Sequence, residues 1–445
     1  MIISQAILKE KKECEIIEMT IFDFNPWWKT LSVPKHYKGK TRDILKTLIS
    51  YLDYRQIILI FGLRRAGKTT IMYQLIDYLL EKHNAFQIMY FSFDEQQFDP
   101  EELLNIYQTE ILKKSLQTDQ TIFLFFDEIQ KLKDWANKIK LIYDRYPNIK
   151  IIVSGSSNLL LQSSIKESLA GRFFEFSIDP LNFDEYIRFK GISIDKEREA
   201  LYESEIKIQI QSYLKTGGFI EAITFDEVVM KKYFKESLLE RVIYKDIPET
   251  FKINSPHLLF KLLNIITSNP GLYLDYKLIG NDLKIDQRTI SNYFNYLENS
   301  LLLKKLYNYS KNQLTSEKKL KRMYVNNTAF IYALSSDNTS LDVILENYFV
   351  CMFTANFFYR SPQKKEVDII LNKKLPIPVE IKFRNKIRHQ DLKNTIAFMN
   401  KFKVNKGIII SKDHDEIINI DNLRLYILPY WKYWSILSIT GASGE

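Results

Sequence analysis

The chain has 445 residues, 46% of them hydrophobic, with 63 basic against 54 acidic side chains and a formal charge of +9. This length suggests about three globular domains at the usual ~150 residues each, with a mild bias toward polyanionic partners. The two cysteines, Cys14 and Cys351, exclude a disulfide framework and a zinc site, and neither a membrane span nor a signal peptide is recognised, so we expect a cytoplasmic protein.

Residues 1–50 are predicted to form an N-terminal arm that includes a helix starting near Thr41. The adjacent Trp27 and Trp28 have two interpretations. They clamp the arm onto the body of the protein, or they stack on a nucleic-acid base. We favour the clamp, because neighbouring large apolar side chains are more often buried than exposed.

A continuous apolar run at 57–61 leads into a glycine-rich cationic turn and then into a helical pattern. The turn matches the phosphate-loop motif G-x-x-x-x-G-K-[ST] and, with the next residue, comprises Gly62, Leu63, Arg64, Arg65, Ala66, Gly67, Lys68, Thr69 and Thr70. The glycines allow backbone N–H groups to converge on phosphate at the positive end of a helix. We expect Lys68 to reach the β- and γ-phosphates of ATP and Thr69 to hold Mg²⁺.

A second apolar run at 121–126 ends in Asp127 and Glu128. A buried parallel strand delivers such acids to the carboxyl edge of its sheet. We expect Asp127 to bind Mg²⁺ through water and Glu128 to polarise the attacking water. The alternative is a buried strand with a solvated acidic end.

A third strand, at 149–153, is followed by the hydroxyl side chains Ser154 and Ser156. They stand where a γ-phosphate sensor is expected, and we prefer Ser156 for that role. Ordinary turn chemistry is the alternative, because serine and glycine are also common turn residues.

Between residues 57 and 178 predicted strands alternate with predicted helices. The strands are expected at 57–61, 86–93, 121–126, 149–153 and 172–178, and the helices at 68–82, 100–116, 134–145 and 163–170. This alternation predicts an α/β fold with a mostly parallel sheet, helices on both faces and phosphates at the carboxyl edge.

Together, these motifs resemble the archaeal and bacterial AAA+ family ATPases, whose core is commonly fused to a domain of unknown function with a nuclease-like fold. The resemblance covers nearly the whole chain and includes the segment 169–172 running into 180–186. It implies a P-loop ATPase core at 51–189. By the same resemblance Arg172 is a candidate arginine finger for a neighbouring subunit's γ-phosphate, which implies a homo-oligomer; a structural ion pair is the alternative role.

Residues 190–252 resemble the helical lid of that family. Gly217 and Gly218 match its glycine pair, but Ile220 stands where the family usually has proline, which puts the lid's nucleotide contacts in doubt. Arg241 is the best available choice for a second sensor.

The segment 253–322 resembles a winged helix-turn-helix domain with a basic wing. Helices are predicted at about 256–268, 275–282 and 286–299, and the third offers Arg288, Thr289 and Asn292 as side chains that could read base edges of DNA. Residues 304–322 then contain seven basic side chains against one acid. Of these, we expect phosphate contacts from Lys318, Lys319, Lys321 and Arg322, while docking of a protein is the alternative use of such a domain.

Residues 323–440 resemble the PD-(D/E)xK nuclease core, a restriction-endonuclease-like α/β domain. Two predicted strands, with period-two alternation, carry Asp368 on one and Glu380 and Lys382 on the other, all on the polar face. Val367 precedes Asp368 where the family has proline. We expect Asp368 and Glu380 to hold Mg²⁺ or Mn²⁺, with Glu346 as a further ligand or as the group that orients the attacking water. Lys382 would stabilise charge on the scissile phosphate or help to deprotonate that water; a nuclease-like fold without catalysis is the alternative.

Two functions remain open on the sequence. In the first, the chain is an ATPase that couples its nucleotide state to DNA binding, with metal-dependent cleavage in the last domain. In the second, it is a STAND-like signalling or regulatory NTPase switch whose C-terminal domains only bind DNA or protein. The intact set of Asp368, Glu380 and Lys382 favours the first.

Overall fold

The computed structural model describes residues 21–94, 98–157, 169–251, 253–318, 320–335, 339–372 and 374–441. It divides into two compact units, residues 1–180 and 181–445. The first unit thus ends before residue 189, where the sequence pattern suggested the end of the ATPase core. Most of the predicted helix 163–170 lies outside the described residues, as does Lys319.

The described part of the first unit contains one sheet of five parallel strands in the order β2-β3-β4-β1-β5. The strands are β1 Ile57–Gly62, β2 Ile88–Ser92, β3 Ile122–Asp127, β4 Ile149–Ser156 and β5 Phe173–Ser177. Every residue of β2 and of β3 is buried, as expected for strands covered on both faces. The predicted parallel α/β sheet is confirmed.

Helices connect these strands as predicted, with ends that differ by a few residues. They are Trp27–Thr30, Lys35–Lys38, Ile44–Ser50, Lys68–Leu80, Pro100–Ile106 with a π-helical continuation Tyr107–Leu112, and Trp135–Arg145, with short 3-10 turns at Ala85–Gln87 and Ile129–Lys131. The helix Lys68–Leu80 is buried around most of its circumference, because residues 71–76 and Leu79 are all buried. Its apolar side chains join the core around β1 and β4.

The N-terminal arm packs against β2, which is an edge strand of the described sheet. The indole N–H groups of Trp27 and Trp28 both donate to the carbonyl of Ile88, at 3.1 and 2.9 Å, and both rings are buried. The Asn25 side chain exchanges hydrogen bonds with the backbone of Tyr90. The tryptophans therefore act as the clamp, and the edge strand has side-chain partners for backbone groups that an open edge would expose.

The described part of the second unit contains a nine-stranded mixed sheet in the order β13-β14-β12-β11-β10-β9-β7-β8-β6. Its strands are β6 Leu272–Tyr273, β7 Leu303–Asn308, β8 Lys321–Val325, β9 Phe357–Arg360, β10 Glu366–Leu371, β11 Ile377–Lys382, β12 Lys406–Ser411, β13 Glu416–Ile420 and β14 Leu423–Pro429. A parallel pairing of β7 with β9 joins the first three strands to the rest. The predicted domain boundary at 322/323 falls inside β8.

Along the chain, the helices of the second unit precede, connect and follow these strands. They are Phe183–Phe189, Glu203–Thr216, Glu227–Lys232, Ile247–Thr250, Pro256–Ser268, Tyr276–Leu283, Gln287–Asn299, Gln313–Lys318, Thr328–Leu334, Leu341–Met352, His389–Phe402 and Tyr433–Thr440, with 3-10 and π-helical segments at Lys196–Tyr202, Glu221–Thr224, Tyr233–Leu239 and Val242–Asp246. Across the part of the chain that the structure describes, no helix has both the length and the apolar character needed to cross a bilayer.

The glycine pair predicted for the lid makes close contacts within the second unit. Gly217 ends the helix Glu203–Thr216 with φ 58°, and its carbonyl accepts a hydrogen bond from the Asn327 side chain at 2.8 Å. A Cβ on Gly218 would lie 2.1 Å from the carbonyl oxygen of Leu181. These glycines therefore bring backbone segments together, which a larger residue would prevent. The Arg241 side chain is exposed in this unit.

Candidate nucleotide site and carboxylate cluster

The phosphate loop connects β1 to the helix Lys68–Leu80, as its motif requires. Gly62 and Gly67 have φ of 152° and 93°, in the region that glycine adopts without a steric penalty. A Cβ on Gly62 would lie 2.2 Å from the carbonyl oxygen of Ile178. Within the loop Leu63 and Ala66 are buried, while Arg64, Arg65 and Thr70 are at least partly accessible to solvent. The backbone is therefore folded as a phosphate-binding loop.

Lys68 and Thr69 begin the helix, where the positive end of the helix dipole lies. The Lys68 ammonium is buried and donates to the carbonyls of Gly62 and Leu63, at 3.2 and 3.1 Å. The Thr69 hydroxyl donates to Asp127 Oδ2 at 2.7 Å. The residues that the motif assigns to phosphate and to Mg²⁺ thus lie together at the carboxyl edge of the sheet.

Asp127 ends β3 and is buried, with 2% of its surface exposed. Its Oδ2 accepts from the hydroxyls of Thr69 and Tyr90, at 2.7 and 2.8 Å. Its Oδ1 accepts from the Ser154 hydroxyl and, at 3.0 Å, from the backbone N–H of Glu128. These four donors are neutral, so they orient the carboxylate without cancelling its charge. A buried carboxylate in this condition suits Mg²⁺, a hard cation that prefers oxygen ligands.

Glu128 follows directly in a left-handed conformation, with φ 51° and ψ 42°. Its carboxylate accepts a hydrogen bond from the side-chain amide of Gln130, whose oxygen accepts the backbone N–H of Ser156 at 3.3 Å. Ser156 is itself paired with Gly62 in the β1–β4 register. Gln130 therefore links the Glu128 carboxylate to the end of β4, which pairs with Gly62 at the start of the phosphate loop.

Burial raises the pKa of Glu128, and Asp127 acts in the same direction, while Lys68 opposes the shift. A raised pKa makes a carboxylate a better general base near neutral pH. Bound Mg²⁺ would neutralise charge on the β- and γ-phosphates. Within this chain Lys68 and the loop would bind the phosphates, Thr69 and Asp127 would hold the metal, and Glu128 would accept a proton from water.

The structure places Ser154, rather than Ser156, in contact with Asp127. Ser154 is fully buried and its hydroxyl bonds the carboxylate, whereas the described bond of Ser156 uses its backbone N–H. The reason is the strand alternation, which turns residues 154 and 156 toward one face but leaves only 154 beside β3 Asp127. Our preference for Ser156 as the sensor therefore gains no support from its side chain.

Three residues of this site were missed by the sequence interpretation. Tyr90 holds Asp127, Gln130 holds Glu128, and the buried Arg42 donates to the carbonyls of Ala66 and Asp179, at 3.2 and 3.1 Å. Tyr90 could have been noticed as a hydroxyl near the carboxyl end of a buried apolar strand, where it needs a partner. Nothing in the local sequence around Arg42 indicates its role.

Arg172 lies immediately before β5 and pairs with Asp144, with 3.1 Å between Nε and Oδ1. The register of β5 with β1 puts this end at Ile57, opposite the edge that carries the phosphate loop. Arg172 therefore cannot serve the nucleotide site of its own chain. The ion pair that was the alternative interpretation is present, and action on another subunit remains a hypothesis.

A second group of charged side chains lies in the second unit, on β10 and β11. These strands are antiparallel, with Ile369 opposite Val379. Asp368 Oδ2 accepts the backbone N–H of Ile381 at 2.9 Å, and Glu380 Oε1 pairs with the Lys382 ammonium at 2.6 Å. The structure thus brings Asp368, Glu380 and Lys382 together as predicted. We refer to these three residues with Glu346 and Arg322 as the carboxylate cluster.

Glu346 and Arg322 have different roles from those predicted. Glu346 Oε1 accepts hydrogen bonds from Arg322 and from the Tyr324 hydroxyl, at 2.8 and 2.6 Å. In the described residues, no group of three or more histidine, cysteine or acidic side chains is arranged to hold a metal ion. In this conformation Glu346 binds a guanidinium, so its predicted role as a further metal ligand gains no support from these contacts.

The same contacts correct the prediction that Arg322 binds DNA. Only 12% of its side chain is exposed, and besides Glu346 it pairs with Asp368 at 3.8 Å. A guanidinium held inside the protein is not available to an external phosphate. Sequence reasoning missed this because Arg322 was grouped with the basic run around it, although it shares a strand face with Tyr324 in β8.

Burial raises the pKa of Asp368 well above its ordinary value, and the negative charges of Glu380 and Glu346 add to the effect. Burial also raises the pKa of Glu380, against the influence of Lys382. The pKa of Lys382 lies above its ordinary value because Glu380 and Asp368 outweigh the effect of burial. The cluster therefore favours a positive charge beside its carboxylates.

The predicted DNA-contacting residues divide into accessible and inaccessible ones. Arg288 and Asn292 are exposed and Thr289 is half-buried on the helix Gln287–Asn299, while Lys321 on β8 is half-buried. Asp286 caps this helix by accepting the backbone N–H groups of residues 288 and 289. Lys319 lies outside the described residues, and the side chain of Lys318 is not described either.

Comparison with known proteins shows which family this chain is similar to. Residues 54–187 match the profile of an AAA domain, 208–341 match a domain of unknown function (DUF8612), and 344–433 match another (DUF4143). The uncharacterized protein MJ1544 of Methanocaldococcus jannaschii is 30% identical over 430 residues, covering 91% of this chain and 93% of the relative. The chain belongs to the MJ1544 family.

An uncharacterized Haemophilus influenzae protein is 25% identical over 400 residues, covering 87% of this chain and 96% of its own length. Among solved structures, the Walker-type ATPase PABY2304 of Pyrococcus abyssi is 16% identical with a TM-score of 0.42, covering 68% of this chain and 97% of its own.

The AAA match coincides with the five-stranded sheet and its phosphate loop. The first unit is therefore a P-loop, AAA-type ATPase domain that binds and hydrolyses nucleotide. The MJ1544 family combines this domain with the two segments of unknown function in the second unit.

Proposed function

We propose that this protein couples ATP hydrolysis to DNA binding, and that the DNA-binding element is a winged helix formed by residues 256–325. The supporting observation is the order of elements. Helix Pro256–Ser268, β6, helix Tyr276–Leu283, helix Gln287–Asn299, β7 and β8 follow one another, and β8 pairs antiparallel with both β6 and β7. Three helices with this three-stranded sheet are the pattern of a winged helix-turn-helix.

The helix Gln287–Asn299 would enter the DNA groove. It buries Ile290, Tyr293, Phe294 and Leu297 on one face. Arg288 and Asn292 point away from that face and are exposed. Arginine and asparagine can each form paired hydrogen bonds with guanine and adenine edges, so this face has the chemistry for direct base contacts.

Phosphate contacts would come from fewer residues than the basic run suggests. Arg322 is held by carboxylates, and Lys305 is 7% exposed and pairs with Glu298 at 2.5 Å. Lys321 has its ammonium 5.5 Å from the centre of the Tyr307 ring and remains partly accessible. The proposed phosphate contacts are therefore those of Lys321 with Lys318 and Lys319. A role in ATP-dependent DNA binding also fits the cytoplasmic location expected from the sequence.

The test is DNA affinity as a function of salt and nucleotide. Arg288→Ala should weaken binding about tenfold, the cost of one paired base contact. The control Lys232→Ala removes an exposed cation from a different helix and should leave affinity unchanged. Wild-type log affinity should fall with log salt by roughly 0.9 per phosphate contacted, and ATP-bound Glu128→Gln should differ from the ADP-bound protein.

DNA affinity that changes neither with salt, nor in Arg288→Ala, nor with the bound nucleotide would refute this function. That outcome would instead support the regulatory switch that uses this domain to dock a protein.

The carboxylate cluster supports a second function, metal-dependent cleavage of DNA by a PD-(D/E)xK-like site. The supporting observation is the convergence of Asp368, Glu380 and Lys382 at neighbouring strand positions. Beyond Lys382 lies an open groove lined by four cationic side chains, one aromatic ring and one amide, namely Arg384, Lys386, Arg388, Lys412, Phe383 and Asn385. Such a groove would attract a nucleic-acid backbone.

The donors fit Mg²⁺ or Mn²⁺ in part. Glu380 Oε2 is buried without a hydrogen-bond partner, which leaves it available to a cation. Asp368 and Glu380 would hold the metal, which would activate water for attack on phosphate, and Lys382 would stabilise charge on the phosphate. Cleavage of plasmid and linear DNA with Mn²⁺ should disappear in Lys382→Ala and persist in the exposed control Lys374→Ala. Equal cleavage by both variants would exclude this site.

We also propose that the ATPase works as a homo-oligomer in which Arg172 reaches the nucleotide of a neighbouring subunit. Its partner Asp144 is 45% exposed, so the pair lies near the surface and can open. Mixing Arg172→Ala chains with Lys68→Ala chains should restore part of the ATPase activity, because mixed assemblies contain intact shared sites. A mixture no more active than its components would leave Arg172 with only its ion pair.

A further inference from the structure

The Arg322 guanidinium occupies the middle of the carboxylate cluster and uses all of its nitrogen atoms. Its Nε donates to the carbonyl of Gly271 at 2.9 Å. One terminal nitrogen bonds Glu346 at 2.8 Å, and the other pairs with Asp368 at 3.8 Å. It therefore bridges two carboxylates that come from a helix and from a strand.

Neighbouring side chains form a pocket around this guanidinium. The centres of the Tyr324, Tyr273 and Phe358 rings lie 5.1, 5.5 and 5.9 Å from its central carbon, close enough for cation–π attraction. A Cβ on Gly271 would lie 2.6 Å from its terminal nitrogen. The absence of a side chain at 271 thus leaves the space that the guanidinium fills, and the contacts on every side favour a planar cation at this place.

The other side of the cluster contains an unsatisfied acceptor. Glu380 is 2% exposed, its Oε1 pairs with Lys382, and its Oε2 has no hydrogen-bond partner. A buried carboxylate oxygen without a donor carries a free-energy cost that a bound cation would remove. Asp368 presents one oxygen to the backbone of Ile381 and the other to Arg322. Because the first of these oxygens already accepts the Ile381 N–H, we infer that a metal shared by Asp368 and Glu380 would use the oxygen that Arg322 contacts.

We propose that Arg322 is a built-in cation that competes with divalent metal for the Asp368 and Glu380 carboxylates, so that Mg²⁺ or Mn²⁺ binds there only when the guanidinium is displaced or removed. The inference rests on the metal-dependent function proposed above, because it concerns the same carboxylates. Three carboxylates face two cations, Arg322 and Lys382, so the loss of Arg322 leaves a local excess of negative charge that a divalent ion can neutralise.

The experiment measures Mn²⁺ binding by the full chain, from the electron paramagnetic resonance signal of free Mn²⁺. All proteins carry Asp127→Asn, which removes the metal ligand of the ATPase domain. Arg322→Gln should bind one additional Mn²⁺ per chain at least tenfold more tightly than the protein with Arg322. Adding Asp368→Asn to that variant should abolish the gain.

Arg360 offers a matched control. It pairs with Glu366 at 2.9 Å, and its guanidinium carbon lies 4.6 Å from the centre of the same Tyr273 ring that faces Arg322. Arg360→Gln should leave Mn²⁺ binding unchanged. If Arg322→Gln does not fold, Arg322→Lys is the second variant. Lysine keeps the positive charge but lacks the planar guanidinium that bridges the two carboxylates, so its Mn²⁺ affinity should exceed that of the parent protein by less than tenfold.

Two results would overturn the inference. One is Mn²⁺ binding by the parent protein that depends on Asp368 and is as tight as in Arg322→Gln. The other is no gain in either Arg322 variant beyond that of Arg360→Gln. The proposed nuclease function fails separately: a gain in Mn²⁺ binding without cleavage of any DNA would support the competition by Arg322 and exclude catalysis.

Discussion

The two units each place carboxylates at strand positions, but they hold them with different partners. In the first unit the buried Asp127 accepts hydrogen bonds from the hydroxyls of Thr69, Tyr90 and Ser154. In the second, Asp368 and Glu380 are paired with the cations Arg322 and Lys382. Asp127 is therefore held by neutral donors, whereas Asp368 and Glu380 lie beside cations of the same chain.

This difference separates a site that is prepared for a metal from one that must first change. Neutral donors fix the direction of a carboxylate, and no cation has to leave before a divalent ion can bind it. A guanidinium must be moved before a metal can use the same oxygen, and moving it costs two charge-assisted hydrogen bonds or ion pairs. The first unit can thus work as folded, while activity of the second would depend on a rearrangement.

The largest expected effect is on the first site. Lys68→Ala should abolish ATP binding, because no other cation begins the helix at the phosphate loop. Glu128→Gln should retain ATP and lower the hydrolysis rate by roughly 10²–10⁴-fold, the usual contribution of a general base. Binding is measured with a fluorescent ATP analogue and turnover by phosphate release.

The matched control is Lys82→Ala, at an exposed position just after the helix that Lys68 begins. It should bind and hydrolyse ATP like the wild type. Hydrolysis by Glu128→Gln at the wild-type rate would show that the proton is accepted elsewhere, and the contrast between the two units would lose its functional meaning.

A smaller effect should come from the neutral donors themselves. Ser154→Ala removes one hydrogen bond to the buried Asp127 and should lower ATP turnover roughly tenfold, consistent with the cost of a lost buried hydrogen bond. Ser156→Ala keeps the backbone N–H that bonds Gln130 and should stay within about twofold of wild type. Steady-state rates across Mg²⁺ concentration measure both, and the Ser154→Ala loss should shrink as Mg²⁺ is raised.

The reverse order, with Ser156 the more sensitive position, would restore it as the γ-phosphate sensor. It would also show that the bond from Ser154 to Asp127 contributes little to metal binding.

The sequence predicted the first site well because its chemistry is contiguous. Apolar strands end in the residues that act, so the phosphate loop, Asp127 and Glu128 could all be located from strand ends alone. Arg42, Tyr90 and Gln130 could not, because their contacts depend on how separate segments pack. Local pattern identifies the reacting groups, and the fold supplies the groups that position them.

In the second unit the period-two pattern correctly brought Asp368, Glu380 and Lys382 together. It did not predict Arg322 as their neighbour. Arg322 was assigned to a separate winged-helix domain, whereas the pairing of β7 with β9 places both segments in one sheet. A run of basic residues in a sequence also does not show which of their side chains are buried. Arg322 and Tyr324 alternate onto the face that meets Glu346, a relation visible only once β8 is known to be a strand.

The smallest expected effect tests the compensated charges of the second unit through stability. Burial and the negative charges of Glu380 and Glu346 raise the pKa of Asp368 well above its ordinary value. A folded-state pKa above the unfolded value means that the folded chain binds the proton more tightly. The stability from this group is therefore complete below the unfolded pKa of about 3.8 and is lost as pH rises through the folded pKa.

Asp368→Asn should consequently stabilise the protein at pH 8, by roughly 1 kcal/mol or about 2–4 °C in melting temperature, and the gain should shrink as pH falls. The amide oxygen can still accept the N–H of Ile381, so the strand contact remains. Scanning calorimetry between pH 5 and 8 measures the difference, with the exposed Asp282→Asn as the control that should show none. A loss of stability at pH 8 would mean that attraction to Arg322 and Lys382 outweighs burial and that these cations hold Asp368 in its charged form.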